Sequence, residues 1–314
     1  MKPLRIATRG SALALWQANR VREALQRENG VEVEIVTVKT SGDKFAATSI
    51  EQIGVRGIFT KELEETLFSG RADIAVHSMK DVPTEFSDVC RIRPVFQRDD
   101  PRDALVARNS QTVRQLPHGA RVGTSSLRRA SQLRAFRGDL QIVEIRGNVD
   151  TRVRKVEEGE CEAVVLAKAG LDRLGLTRRI TEILPPEIML PAVGQGVLCV
   201  EYLESNDDLM RPLLEPLEDR DTVFAVEAER ILLREMQGGC RLPLGAWARF
   251  EGGEMRLDAC VLSADGSESI RKSSAQMCTS FRDAELLGRR VAKELLDAGA
   301  GRLLHLARGI AGDA

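Results

Sequence analysis

The sequence predicts an α/β fold of two similar lobes followed by a small α+β domain. Short apolar strands alternate with amphipathic helices from residue 4 to residue 202, a pattern typical of open, largely parallel sheets. A strand, small hydroxyl residues and a helix start occur in that order at residues 4–25 and again at residues 121–136. Two proline-broken segments, 98–103 and 185–196, interrupt the pattern and predict two crossings between the lobes.

The domain boundaries follow from these crossings. The chain has 314 residues, more than the roughly 250 at which a single hydrophobic core stops growing. We expect domain 1 at residues 1–97, completed by residues 197–217, domain 2 at residues 98–196, and a C-terminal domain at residues 218–314. Because two hinge segments join the lobes, a ligand is expected to bind in a cleft between them.

The first lobe begins with a strand at Leu4–Thr8 and a helix directly after it. Val31–Thr40 alternates apolar with polar residues and predicts the second strand. Residues 41–58 lack periodicity and indicate a long loop, either a functional lid or a disordered segment. A helix at Thr60–Ser69 then leads into a short buried strand at residues 73–77.

The second lobe repeats this plan. A strand at Arg121–Gly123 is followed by a helix that begins at Leu127, and a strand at Leu140–Ile145 is followed by a helix with Asn148 as its N-cap. Ala163–Ala167 is a continuous apolar run and predicts a buried strand. The two lobes are therefore expected to present equivalent helix N-termini.

The C-terminal part has a different texture. Val197–Tyr202 predicts a strand that returns to the first lobe, and a helix follows that ends near Met236. Leu244–Phe250 and Glu254–Leu262 read as two strands joined by a glycine turn. The last predicted element is an amphipathic helix with its apolar positions between residues 284 and 295.

The charge balance argues against whole classes of partner. Lys and Arg number 46 and Asp and Glu number 47, so the formal charge is -1. No overall basic field exists to attract nucleic acid or a membrane surface. No run of about 18 apolar residues is present that could span a bilayer. The N-terminus enters a strand without an apolar signal core, so we expect a cytoplasmic protein.

Motifs for metals and nucleotides are also missing. The six cysteines are scattered without a C-x-x-C pair, which argues against a zinc site and predicts reduced thiols. No G-x-x-x-x-G-K-[ST] or G-x-G-x-x-G motif is present, so ATP and dinucleotides are not expected ligands.

Side chains able to do chemistry follow the third strand. The apolar run at residues 74–76 gives way to His77, Ser78, Lys80 and Asp81. Ligands of open α/β sheets bind beyond the carboxyl ends of the strands, so these residues indicate a site. The alternative is a solvated turn that contains an adjacent Lys–Asp pair.

Arginine recurs where helices begin. Arg9 precedes the first helix, whose N-cap is Ser11, and the second lobe has Arg128, Arg129, Arg146 and Arg152 at equivalent points. An arginine at a helix N-terminus opposes the helix dipole, so it does not serve helix stability. We interpret the set as binding a multiply carboxylated organic substrate. Separate surface arginines whose stems cover apolar surface are the alternative.

Cys240 is the cysteine whose surroundings indicate chemistry. It lies in a Gly-Gly-Cys-Arg-Leu-Pro turn, where Arg241 favours the thiolate. A Cys–His protease is poorly supported, because none of His77, His118 and His305 has a context that suggests a base for this thiol.

Six motifs together resemble the porphobilinogen deaminases, also called hydroxymethylbilane synthases. They occur in family order from residue 4 to about residue 246, and the last 60 or so residues are generic. The motifs are Thr8-Arg9-Gly10-Ser11, His77-Ser78-Met79-Lys80-Asp81-Val82-Pro83, Gly123-Thr124-Ser125-Ser126-Leu127-Arg128-Arg129, Arg146-Gly147-Asn148-Val149, Leu190-Pro191-Ala192-Val193-Gly194-Gln195-Gly196 and Gly238-Gly239-Cys240.

The resemblance implies two lobes similar to type II periplasmic binding proteins, and a monomer. It implies a transferase that condenses four porphobilinogen molecules to hydroxymethylbilane for tetrapyrrole (haem) biosynthesis, with release of ammonia. It also implies a covalent dipyrromethane cofactor on the sulfur of Cys240. Loss of ammonia leaves a cationic azafulvene, which the resemblance places beside a catalytic carboxylate, Asp81.

The resemblance assigns further residues by their position in the motifs. The cofactor would be bound by Ser78, Lys80, Asp81, Thr124, Ser126, Arg128, Arg129 and Arg146, besides Cys240. The substrate would be bound by Arg9, Ser11, Arg146, Arg152, Arg179 and Gln195. No metal and no nucleic acid are implied.

One segment departs from the family pattern. Residues 52–59, the expected lid, are less basic and less glycine-rich than the family's usual sequence, although Arg56 and Phe59 keep its pattern. The alternative from another class is a two-lobed anion-binding protein without catalysis, in which Asp81 and Cys240 would have no role.

Overall fold

The computed structural model describes residues 2–39, 61–84, 89–237 and 242–312. The chain divides into two compact units. The first contains Met1–Arg98 and Val197–Val223, and the second contains Asp99–Gly196 and Phe224–Ala314. A separate C-terminal domain within the second unit stays a prediction.

Strands and helices alternate through both units. The strands are β1 (Leu4–Arg9), β2 (Val33–Val38), β3 (Ile74–Ser78), β4 (Cys90–Val95), β5 (Asp103–Ala107), β6 (Arg121–Gly123), β7 (Gln141–Val143), β8 (Ala163–Ala167), β9 (Glu182–Ile183), β10 (Leu198–Leu203), β11 (Leu244–Glu251), β12 (Glu254–Leu262) and β13 (Ser269–Met277). The helices are α1 (Ala12–Asn29), α2 (Lys61–Phe68), α3 (Leu127–Phe136), α4 (Val149–Glu157), α5 (Lys168–Arg173), α6 (Asp207–Leu214), α7 (Arg220–Glu235), α8 (Phe281–Asp297) and α9 (Ala300–Gly312).

The sheet of the first unit has the order β2-β1-β3-β10-β4 in the part of the chain that is described. β1 runs parallel to both β2 and β3, whereas β10 runs antiparallel to β3 and β4. Ile6, Ile74 and Val200 are fully buried in this sheet, and Val21 and Leu25 of α1 belong to the same core. Burial of the apolar positions on β1, β3 and α1 accounts for their alternation in the sequence.

The larger sheet of the second unit repeats this plan, with the order β7-β6-β8-β5-β9 over its described strands. β6 runs parallel to β7 and β8, and β5 runs antiparallel to β8. In both sheets three parallel strands are thus followed by an antiparallel strand from another part of the chain. The predicted α/β fold of two similar lobes is confirmed.

A three-stranded antiparallel sheet, β11-β12-β13, completes the second unit as described. The apolar positions of α8 that the sequence predicted, Ala284, Leu287, Val291 and Leu295, are all buried. The sequence gave no signal for β13, because its exposed residues alternate with half-buried ones and most are polar. Its nine residues are held by pairing with β12.

The segment 98–103 was expected to be a crossing throughout, but its last residue belongs to a strand. Asp103 is the first residue of β5, and the whole strand is buried. The charged residues at positions 98–102 precede it directly, and they obscured the apolar run Ala104–Ala107 in the sequence. This places a carboxylate inside the second unit.

Gly245 of β11 lies against the main chain of Leu190. A Cβ at this position would lie 2.8 Å from the Leu190 carbonyl oxygen. The neighbouring Ala246 N–H donates to the Pro191 carbonyl at 2.9 Å. The absence of a side chain at residue 245 therefore lets β11 fix the position of residues 190–191.

We expect Gly245→Ala to destabilise the protein by about 1–3 kcal/mol, because backbone atoms must move to admit the methyl group. Urea unfolding followed by circular dichroism measures the change. The control is Gly138→Ala, where the nearest atom to the added Cβ would be 3.6 Å away. Equal stability of the two variants would contradict the close approach.

Candidate active site

The catalytic turn predicted from the sequence lies at the carboxyl end of β3. Met79–Asp81 forms one turn of 3-10 helix directly after Ser78. Met79 is 2% exposed, and its N–H donates to the Val197 carbonyl at 2.9 Å. Asp81 is exposed and Lys80 is half-buried. The buried methionine thus fixes the turn, and the carboxylate of the next-but-one residue lies at the surface of the unit.

The end of β1 contributes to the same edge of the sheet. β1 and β3 are parallel neighbours, so Arg9 and Ser78, the last residues of the two strands, lie at one edge. Ser11 caps α1, since its hydroxyl accepts from the Ala14 N–H at 3.3 Å. Gln17 of α1 donates through Nε2 to the Ser78 hydroxyl at 2.8 Å. Five predicted site residues, Arg9, Ser11, Ser78, Lys80 and Asp81, are therefore gathered in the first unit.

A buried ion-pairing group lies just before this turn. His77 Nε2 is 2.7 Å from Glu201 Oε2, and both side chains are at most 5% exposed. Burial and the nearby Glu201 carboxylate raise the pKa of Cys90 to about 12. Sequence analysis missed Glu201, although an acidic residue inside the apolar strand β10 was a usable signal.

In the second unit, the central feature is the carboxylate of Asp103, which is 0% exposed. Its Oδ2 accepts from Arg128 Nη1 at 2.6 Å. Its Oδ1 accepts from Arg129 Nη2 at 2.7 Å and Nε at 3.1 Å, and from Gln195 Nε2 at 2.9 Å. We name Asp103, Arg128, Arg129 and Gln195 the Asp103 cluster. Three of its members were predicted from the sequence, and Asp103 was not.

Main-chain carbonyls complete the Asp103 cluster. Arg128 Nη1 also donates to the Leu190 carbonyl at 2.7 Å, and Arg129 Nη1 donates to the Val165 carbonyl at 3.1 Å. Gln132 holds Leu190 from both sides, because its amide donates to the Leu190 carbonyl and accepts from the Leu190 N–H. The two guanidinium groups are therefore fixed between three strands and the 190–196 segment.

The electrostatics of the Asp103 cluster favour the ionised carboxylate. Burial acts to raise the pKa of Asp103, but the charges and hydrogen bonds of Arg128 and Arg129 outweigh it and lower that pKa far below its usual value. The three charged side chains together carry a net charge of +1. A buried cationic cluster of this kind is suited to binding a carboxylate.

Hydroxyl and arginine side chains surround the ends of β6 and β7. Thr124 is 4% exposed, and its hydroxyl accepts from the Ser126 N–H at 3.1 Å. Arg146 pairs with Glu144 at 2.6 Å, and Arg152 Nε donates to the Gly147 carbonyl at 2.8 Å. Because β6 and β7 are parallel, these residues lie at the edge from which α3 starts.

Two helix starts differ in detail from expectation. Ser126 and Asn148 occupy the N-cap positions of α3 and α4. Neither side chain accepts the hydrogen bond of a cap. Their positions were predicted correctly, whereas the predicted capping by Asn148 was wrong.

Glu229 connects α7 to the 190–196 segment. Its carboxylate is 0% exposed and accepts from the N–H groups of Gly194 and Ala248, each at 2.7 Å. α7 ends at Glu235, shortly before the cysteine turn. One buried carboxylate thus fixes that helix beside the residue preceding Gln195.

Two arginines after α4 have different surroundings. Arg179, a predicted substrate residue, is exposed and pairs with Glu157 at 2.7 Å. Arg173, which sequence analysis did not select, has a side chain that is 6% exposed and pairs with Asp99 at 2.8 Å. It also donates to the Gly196 carbonyl at 2.9 Å. Arg173 therefore fastens α5 to both crossing segments.

Three predicted site residues, Arg56, Phe59 and Cys240, lie outside the described residues. Among residues that the structure does describe, the five cysteines are all free and buried. No group of three potential metal ligands occurs in those same ranges. Within them, no helix is both long and apolar enough to cross a membrane.

Comparisons with known proteins agree on one family. Residues 4–211 match the family model described as "Porphobilinogen deaminase, dipyromethane cofactor binding domain", and residues 223–297 match "Porphobilinogen deaminase, C-terminal domain". A porphobilinogen deaminase from Syntrophobacter fumaroxidans is 46% identical over 303 residues, which cover 96% of this chain and 97% of the relative. One from Geobacter sulfurreducens is 46% identical over 302 residues, covering 96% and 93%.

Solved structures with some likeness are more distant. The VFT2 domain of Bordetella pertussis BvgS has a TM-score of 0.45 at 17% identity, covering 72% of this chain and 91% of that domain. The methionine-binding protein MetQ has a TM-score of 0.42 at 14% identity, covering 72% and 94%.

The depressed pKa of Asp103 predicts a pH-dependent contribution to stability. A carboxyl group with a lowered folded-state pKa stabilises the protein above its unfolded pKa of about 3.9, and this contribution is lost as the pH falls toward the folded value. We expect Asp103→Asn to lose about 3–5 kcal/mol at pH 7, since it leaves buried arginine charge uncompensated. The difference from the parent protein should narrow below about pH 4.

Urea unfolding at several pH values tests this expectation. Asp139→Asn is the matched control, because Asp139 accepts the same kind of arginine fork from Arg137 at 2.6 and 2.7 Å but is partly exposed. A constant stability difference for Asp103→Asn between pH 7 and pH 3 would contradict the lowered pKa.

Proposed function

This chain belongs to the porphobilinogen deaminase family, and from that membership we propose how its own residues carry out the reaction. It is a transferase that condenses porphobilinogen molecules head to tail, with release of ammonia, in porphyrin and tetrapyrrole biosynthesis. Its cofactor is a dipyrromethane. The finer assignments, which residues bind, position and catalyse, form the proposal.

The Asp103 cluster is the observation that carries the proposal. Every pyrrole unit of substrate and cofactor bears an acetate and a propionate, so the bound molecule is a polyanion that grows with each addition. Arg128 and Arg129 are both more than nine-tenths buried, and with Asp103 they sum to a charge of +1. Guanidinium forks match carboxylates in geometry as well as charge. The residues of the second unit therefore fit a carboxylate-bearing cofactor.

We assign the remaining binding residues by their place at the sheet edges. In the second unit the carboxylates are held by Thr124, Ser126, Arg128, Arg129, Arg146 and Arg152, with Gln195 as a neutral donor. In the first unit they are held by Arg9, Ser11, Ser78 and Lys80. Arg146 and Arg152 make contacts only to a nearby Glu144 side chain or a Gly147 carbonyl in the distances given above, so a bound carboxylate can compete for them.

Cys240 is the proposed point of attachment. The dipyrromethane supplies a tethered pyrrole end from which the product chain is extended. The five described cysteines are buried, and burial raises the pKa of the Cys161 and Cys260 thiols. A thiol in that state is a poor nucleophile. Glu229 fixes α7 just before the cysteine turn, so the attached group is held to the same unit as the Asp103 cluster.

Asp81 is the proposed catalytic carboxylate. Departure of ammonia leaves positive charge on the substrate pyrrole, and an anionic side chain near that nitrogen lowers the barrier. The turn at Met79–Asp81 is anchored through buried Met79 and the Val197 carbonyl. A carboxylate on a fixed turn needs little reorganisation as charge develops, which is the condition for this kind of catalysis.

The remaining assignments follow the family alone. We propose that Arg56 and Phe59 act in a lid and that Arg179 contacts substrate. We also propose that the protein acts as a monomer in the cytoplasm on a small-molecule substrate. These assignments stay predictions.

The attachment predicts a measurable mass. Protein purified from a host that makes porphobilinogen should be heavier than its sequence by one dipyrromethane unit, and Cys240→Ala should remove the increment. Cys161→Ala is the control, because Cys161 is buried in the same unit, and it should keep the increment. Intact-protein mass spectrometry distinguishes these outcomes. A bare-chain mass for the unaltered protein would refute the attachment.

The role of Asp81 predicts a loss of turnover without a loss of fold. We expect Asp81→Asn to slow turnover by about 100-fold or more, since the amide is uncharged and cannot take up a proton. Asp73→Asn is the control. Asp73 pairs with Arg5 at 2.8 Å near the opposite ends of β1 and β3, so its replacement should change turnover little. Near-normal turnover in Asp81→Asn would remove Asp81 from the mechanism.

A further inference from the structure

Asp103 has no assigned role in the reaction, yet it contacts three residues that do. Its four hydrogen bonds come from Arg128, Arg129 and Gln195, at distances of 2.6 to 3.1 Å. The carboxylate is 0% exposed, so it cannot itself be a ligand for a polyanion, which it would also repel. Its position requires another explanation.

We propose that Asp103 is a positioning residue that presets the two guanidinium groups for one carboxylate of the covalent cofactor. The inference rests on the proposed function, because it assumes that Arg128 and Arg129 bind the cofactor. Asp103 acts through these two arginines and makes no contact with cofactor or substrate itself.

The geometry supports orientation as well as charge. Oδ1 accepts both Nε and Nη2 of Arg129, a fork that fixes the plane of that guanidinium. Oδ2 accepts Nη1 of Arg128, and the same Nη1 reaches the Leu190 carbonyl. Each arginine is thereby held by the carboxylate and by a main-chain carbonyl. Long arginine side chains otherwise lose about 2 kcal/mol of rotamer freedom on being ordered.

The alternative for Asp103 is charge compensation alone. A single carboxylate offsets half the charge of two buried arginines, and this would stabilise the fold at almost any orientation. The two explanations differ for Asp103→Glu. Glutamate keeps the charge and both acceptor oxygens, but its extra methylene displaces them in a fully buried site. Only the positioning role predicts that cofactor loading suffers in Asp103→Glu.

The test measures cofactor loading in the complete protein. Asp103→Asn, Asp103→Glu and the unaltered chain are purified from a host that makes porphobilinogen, and intact mass gives the fraction that carries the cofactor. Loading of the apoprotein with added porphobilinogen is then timed. We expect both variants to load about tenfold more slowly, the lower end of the effect of removing a residue that orients a ligand-binding group.

A stability-matched control separates positioning from folding. Leu140→Ala removes a buried side chain from the core of the same unit and is expected to cost about 2–5 kcal/mol. It leaves the Asp103 cluster unchanged, so it should load at the normal rate. Asp139→Asn, which breaks a partly exposed Asp–Arg fork, should also load normally.

Four results would overturn the proposal. They are normal loading by Asp103→Glu, normal loading by Asp103→Asn, equally slow loading by Leu140→Ala, and failure of both Asp103 variants to fold while Leu140→Ala folds. In the last case Asp103 serves stability only. If the unaltered chain carries no cofactor, the proposed function fails instead, so the two failures are distinguishable.

Discussion

The bonding of one buried carboxylate to two arginines is the interaction on which the rest of the site depends. Asp103 is the first residue of β5, Arg128 and Arg129 lie in the first turn of α3, and Gln195 lies in the second crossing segment. Buried charges are tolerated when they are paired and hydrogen-bonded. Asp103 meets that condition for itself and leaves the three side chains with a net positive charge. Stability and anion binding therefore come from the same contacts.

The two units contribute different chemistry to the reaction. The second unit supplies the buried guanidinium groups, and through α7 and Glu229 it holds the chain that leads to Cys240. The first unit supplies an exposed carboxylate on a turn anchored by Met79. Both use the carboxyl ends of parallel strands, the usual place for ligands in open α/β sheets. The same fold thus presents a binding edge in one unit and a catalytic edge in the other.

Local patterns predicted much of this structure. The strands β1, β3, β6 and β8 are apolar runs bounded by polar turns, and the predicted bounds agree with the structure within a residue or two. Motif resemblance identified the family and most of the proposed site. β13 was missed, because a mostly polar edge strand has no hydrophobic alternation to report.

The contacts that the sequence could not predict are long-range pairings of charge. Asp103 pairs with arginines 25 and 26 positions away, and His77 pairs with Glu201 across 124 positions. Neither pairing follows from local spacing, since each depends on which strands become neighbours in the sheet. Asp103 also follows a run of exposed and half-buried charges, so its burial had no clear local signal.

A crystal structure of the purified, cofactor-bearing protein tests the central claim most directly. The account predicts a cofactor carboxylate oxygen within about 3 Å of a guanidinium nitrogen of Arg128 or Arg129, the usual hydrogen-bond range. Both arginines should still be paired with Asp103. Cofactor carboxylates bound elsewhere, with Arg128 and Arg129 contacting only protein, would contradict the account.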